Sequence, residues 1–121
     1  MISGIHHVQI TIPTGEEARA RAFYCDVLGL NEIEKPESLQ GRGGFWLEVG
    51  DQSVHVGTED RVDRLSTTAH VAYAVTDLTE WGRKLEAEGI ERMTGIPIPG
   101  FDRFEFRDPF GNRIEMIQAK K

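Results

Sequence analysis

The chain has little of several things, and each shortage closes a class of explanation. A single cysteine, Cys25, in 121 residues excludes an intramolecular disulfide and any Cys-rich zinc module, and suits a reducing compartment. Cys25 itself reads as a packed helix residue. Positive charge is scarce: 14 Lys and Arg stand against 20 Asp and Glu, a net charge of −6. That balance gives no counterion-release drive toward nucleic acid or anionic lipid, and neither partner is expected. No apolar run approaches the ~20 residues that cross a bilayer, and no basic start leads into an apolar stretch. A cytoplasmic protein is expected. What remains, 39% hydrophobic and 28% charged residues, is the composition of one globular domain. A chain of this length buries roughly two thirds of its unfolded surface, so the fold does not have to rest on a metal.

The order of elements is written twice. Residues 5–12 alternate, with Ile5, His7, Gln9 and Thr11 on one face and His6, Val8, Ile10 and Ile12 on the other, a strand with two unlike faces. Pro13, Thr14 and Gly15 break it. Thr14 is placed to cap a helix over 16–28 that Gly29 ends. Strands follow at 30–34, 45–49 and 53–57, the last two joined as a hairpin by the turn at Gly50. The second half repeats this with a strand at 69–75, a helix at 78–88 closed by Gly89, a strand near 91–94, and a hairpin of 103–107 and 113–118 around Asp108-Pro109-Phe110-Gly111-Asn112. "HVQITIP" overlays "HVAYAV", and "GDQSVHV" overlays "FGNRIEM". The fold class is α+β: two βαβββ modules, about 1–62 and 63–121, within one domain and forming a curved mixed sheet around a cleft.

The repeat sets His7 opposite His70 on the first strands and His55 opposite Glu115 on the last. On each of these strands the apolar residues take the other face, which is expected to pack on the helices. The face with the candidate ligands also carries Gln9, Thr11, Ser53, Ala72, Ala74 and Arg113, small or polar as befits a cavity wall. Two imidazoles and a carboxylate converging from three strands make the facial set that leaves positions open on a divalent metal. His7, His70 and Glu115 are therefore the expected ligands, with His55 as candidate for a fourth. His6 shares the face of Val8 and Ile10 and is excluded. A hydrogen-bonded cluster without metal is the bland alternative, though a buried anion is costly unless a cation compensates it.

With "GIHHVQITIP", "FYCDVLGL", "AHVAYAVTDL" and "FRDPFGNRIEMI" in place, the sequence resembles the vicinal oxygen chelate superfamily of glyoxalases, bleomycin-resistance proteins and extradiol dioxygenases over nearly its whole length. The resemblance implies one divalent metal (Zn, Fe, Ni or Mn) on His7, His70 and Glu115, with His55 at the further position used by glyoxalase I. It implies a small substrate chelated through two adjacent oxygens, an anion stabilised beside a carbonyl, and Glu115 acting as ligand and catalytic base. Substrate-binding candidates on the same wall are Trp46, Glu48, Arg103 and Glu105, with Arg103 suited to an anionic group. A homodimer is expected, and the ligands could come from one chain or two.

Departures narrow the chemistry. The positions that help hold glutathione in glyoxalase I are Thr11 and Glu59 here; the catalytic tyrosine of the dioxygenases falls at Glu105, and their upstream histidine is missing near 97–99; fosfomycin-modifying members have threonine where Gln9 stands. The expected activity is a metal-dependent lyase, isomerase or epimerase. The alternatives are a metal-free antibiotic-binding protein or an Fe(II) ring-cleaving dioxygenase.

Overall fold

The computed structural model describes residues 1–121. The chain divides into two compact units, Met1–Val62 and Asp63–Lys121, each built on its own mixed sheet.

In the first unit, strands β1 (His7–Ile12), β2 (Asn31–Ile33), β3 (Phe45–Val49) and β4 (Gln52–Thr58) lie in the order β1-β4-β3-β2. β1 runs parallel to β4, and the other pairs are antiparallel. The register places Val8 beside Val54 and Phe45 beside Val56, so the alternation puts Ile12, Phe45, Leu47, Val54 and Val56, all at most 3% exposed, on one face. Helix α1 (Glu17–Arg21) passes into a π-helical turn, Ala22–Val27, where the Leu28 N–H donates to the Phe23 carbonyl at 2.9 Å. It buries Ala20, Phe23, Tyr24 and Leu28, and the Arg21 guanidinium lies 4.7 Å over the Phe45 ring. Thr14 does not cap this helix. Its N–H and hydroxyl both donate to the Asp60 carboxylate, at 2.9 and 2.8 Å, tying the exit of β1 to the chain beyond β4. These charge-assisted bonds hold the Thr14 side chain toward Asp60, and no side chain caps the helix start.

In the second unit, β5 (His70–Ala74), β6 (Phe101–Arg107) and β7 (Arg113–Ala119) lie in the order β5-β7-β6, β5 again parallel to the last strand. Tyr73, Phe104, Phe106, Ile114 and Met116 share the apolar face with Leu85 of helix α2 (Leu78–Ala87). The Asp77 carboxylate caps α2 by accepting the Glu80 N–H at 3.0 Å. The β6–β7 turn is organised by Asp108, whose Oδ1 accepts the N–H groups of Phe110 and Asn112 at 2.9 and 2.8 Å.

The strand expected near 91–94 shrinks to a single bridge, Met93 to Glu105. Pro97 and Pro99 offer no N–H to a ladder, and the segment is held instead by a side chain: Arg103 Nη1 donates to the Ile96 carbonyl at 2.8 Å. No helix is long and apolar enough to cross a membrane.

Candidate metal centre

On the open face of the second sheet, alternation and register bring five charged or titratable groups together. Glu105 and Glu115 are direct cross-strand partners, 5% and 4% exposed. Like charges directly opposite are destabilising, and a buried carboxylate needs a partner. Arginine supplies it from the same face, two rungs to either side. Arg103 Nε donates to Glu115 Oε2 at 2.9 Å and its Nη2 to Glu115 Oε1 at 3.1 Å, a two-pronged pairing. The same Nη2 lies 3.4 Å from Glu105 Oε1, and Arg113 Nε donates to Glu105 Oε2. Arg103 chiefly, against the opposing effect of burial, holds the Glu115 carboxyl below its ordinary value, and Arg113 does the same for Glu105.

His70 closes the cluster. Its Nδ1 lies 2.9 Å from the Thr68 carbonyl, which can only accept, so Nδ1 carries the proton. Nε2 then faces Glu115 Oε1 at 3.0 Å. In a neutral ring that is a lone pair opposite an anion, a gap calling for a cation: a second proton or a metal. Two ligands in adjacent positions on one ion, each about 2.1 Å from it, stand about 3 Å apart. The ligand atoms of His70, Glu105 and Glu115 all lie within 4.8 Å of one another. The fit is good for His70 and Glu115, and the Thr68 carbonyl is the kind of outer partner that orients a metal-binding histidine. Glu105 was expected as a substrate contact; its position makes it a further carboxylate of this cluster.

The equivalent rungs of the first sheet carry rings. His55 pairs across the strands with Trp46 and Gln9 and is sandwiched: Trp46 stacks on it at 3.8 Å and 3°, His7 at 4.0 Å and 14°. Near-parallel rings direct their lone pairs along separate planes, so His7 and His55 as placed do not converge on one ion. His55 Nε2 lies 3.2 Å from Ser53 Oγ. Burial first, then the nearby His7 and His6, lowers the His55 pKa. His6 was expected on the apolar face. It is exposed and precedes β1, with its Nδ1 2.9 Å from that of His7. Glu48 is exposed at the rung beside Ser53.

Arg113, expected only as part of the cavity wall, is the partner of Glu105. It lies two residues before Glu115 on the same strand face, which alternation alone makes visible.

The depressed carboxyls set a pH dependence. A group whose folded pKa lies below its unfolded value stabilises the fold above the unfolded pKa and loses that contribution as pH falls through the folded one. The metal-free protein is expected to lose stability progressively below about pH 4.5, the ordinary value for both glutamates. Urea unfolding at pH 7 and pH 3.5 checks it: the Glu105→Gln/Glu115→Gln protein should show a smaller drop than wild type, and an equal drop counts against the cluster as the source.

Comparison with known proteins agrees with this architecture. A glyoxalase family protein from Bacillus anthracis is 42% identical and superposes with a TM-score of 0.92 over 99% of this chain and 98% of that one. The fosfomycin resistance protein FosX from Listeria monocytogenes, solved with Mn(II) and sulfate, shares the fold at 18% identity and a TM-score of 0.79, over 99% of this chain and 93% of that one. The Synechocystis protein named "Probable lactoylglutathione lyase" is 28% identical over 89% of this chain and 91% of its own length. A family model matches residues 4–116, and the chain belongs to the glyoxalase/bleomycin resistance protein/dioxygenase superfamily.

Proposed function

We propose that the protein is a metal-dependent enzyme of the glyoxalase-like kind, a lyase, isomerase or epimerase acting on a small substrate with two adjacent oxygens, and that His70 and Glu115 hold its divalent ion. The observation that carries this is the 3.0 Å approach of His70 Nε2 to Glu115 Oε1 with Nδ1 committed to the Thr68 carbonyl. A bound ion would supply a Lewis acid where charge develops on substrate oxygens. The chain's own groups do the rest. Arg103 keeps Glu115 ionised and so fit to ligate, and Thr68 fixes the His70 ring. Glu115 is the group we assign to proton transfer. While paired with Arg103 it is a weak base, and an anionic substrate drawing Arg103 away would strengthen it. The resemblance adds His7 as a further imidazole donor.

The test is elemental analysis of protein purified without chelator or nickel resin. We expect a stoichiometric divalent metal, lost in His70→Ala and kept in His6→Ala; the His7→Ala protein reports whether that ring contributes. A metal-free protein that cannot be reconstituted would overturn the proposal. One observation favours the rival reading, a metal-free binding protein: Arg103 and Arg113 already neutralise both carboxylates without an ion.

A further inference from the structure

The first unit contains a cleft of about 320 Å³, a volume at the small end of ligand sites. Its contents are distinctive for a chain with more acidic than basic residues. Lys35 and Arg42 both line it, and none of its lining residues is a carboxylate. The Lys35 ammonium is steadied by donation to the Gly43 carbonyl at 2.7 Å, which leaves two of its three N–H donors for another acceptor. Arg42 is exposed and forms no ion pair. On the sheet side stand the Trp46 ring, stacked by one face on His55 and so leaving its other face for a partner, and the carboxamide of Gln9. That carboxamide lies across Gly57, where a Cβ would come within 2.7 Å of Gln9 Nε2. Glycine at 57 is what permits it.

Cationic donors at one side, a free amide on the floor and a flat ring wall select for a particular chemistry. The forked guanidinium matches a planar or tetrahedral oxyanion, and stacked rings favour a flat partner. We propose that this cleft binds a small oxyanion carried on a flat, unsaturated skeleton, its oxygens held by Arg42, Lys35 and Gln9 and its plane against the face of Trp46 that His55 leaves open. The site stands on the first unit alone and does not depend on the metal reading.

The probe is benzoate, titrated against Trp46 fluorescence in a Trp81→Phe background with chelator present. Phenyl phosphate, benzamide and acetate serve as the tetrahedral, neutral and ring-less comparisons. Benzoate or phenyl phosphate should bind saturably, in the millimolar range or tighter, with benzamide and acetate at least about tenfold weaker; the tighter of the two anions tells a carboxylate from a phosphoryl site. Arg42→Gln should weaken that anion by about tenfold and leave benzamide unchanged, with thermal melting as the check that the variant is folded. Gln9→Leu should weaken it more modestly. Equal binding of benzamide and benzoate, wild-type anion affinity in Arg42→Gln, no saturable response, or a response present only without chelator would each overturn the proposal. The chelator makes its failure separable from failure of the metal centre, which is read from metal content.

Discussion

If Glu115 ligates the proposed ion, the Glu115→Gln protein is expected to lose at least about 100-fold in affinity for divalent metal, the upper end of what loss of a supporting outer partner alone causes, and to keep its fold. Glutamine keeps the shape of the side chain, and its carbonyl still accepts a hydrogen bond from Arg103, so the β6–β7 pairing of Glu105 with position 115 survives. The charge is what disappears. Its removal deprives His70 Nε2 of the anion 3.0 Å away and leaves two guanidiniums to share Glu105. A cation entering there meets a neutral amide and an excess of positive charge, both of which oppose it. Titration with Zn(II), Mn(II) and Ni(II) by calorimetry, with circular dichroism to confirm the fold, measures the effect. Wild-type affinity in the variant would place the ion elsewhere and sink the assignment of Glu115.

The largest effect on stability is expected from Gly44→Ala, at about 2–5 kcal/mol. Gly44 has φ +76°, and a Cβ built there would stand 2.1 Å from the Val56 carbonyl oxygen. The left-handed backbone costs an alanine roughly 1–2 kcal/mol, and the clash is with backbone, which cannot rotate away as a side chain can. Relief requires parting the start of β3 from β4, where Phe45 is 1% exposed and pairs with Val56; strain of that kind adds a further 1–3 kcal/mol. Gly100→Ala is the control. Its φ is +87° but nothing lies within 4 Å of the added carbon, so only the conformational cost of about 1–2 kcal/mol applies. Urea denaturation of the pair separates the two contributions, and equal losses would mean that the close approach at Gly44 relaxes freely.

Much of the scaffold was legible because alternation in a strand is insensitive to its surroundings. β3 runs over Phe45–Val49 as expected, and β7 begins at Arg113. The open face was legible for the same reason: His70, Glu105 and Glu115 share one side of a sheet whose other side is apolar. Less legible was who pairs with whom on that face. Arg103 reads in sequence as a group awaiting an anionic substrate, whereas the register set by the 108–112 turn puts it beside Glu115. Which of two available anions an arginine takes depends on cross-strand distance and rotamer, not on spacing along the chain. Residues 35–44 were illegible for a different reason. Pro36, Gly41, Gly43 and Gly44 break any period, so nothing along the chain announces that Lys35 and Arg42 meet in one cleft. Thr14 misled because a hydroxyl before a helix is ordinarily a cap, and Asp60, far along the chain, claims it.

The parallel pairing of each unit's first strand with its last has a consequence for how the protein is made. In both units the closing hairpin, β3–β4 or β6–β7, joins neighbours in sequence across a short turn and can form in about 1–10 μs. The rungs from His7 to Ser53 and from His70 to Arg113 require a far longer loop to close, an entropic cost met before any contact rewards it. The histidine strands should therefore dock last onto sheets already begun. On the ribosome β1 emerges early and waits, its hydrogen-bonding edges unfilled, until β4 has been synthesised. Two polar side chains on its exposed face, His7 and Gln9, are then more than candidates for chemistry: polar groups there are expected to help keep a waiting strand soluble.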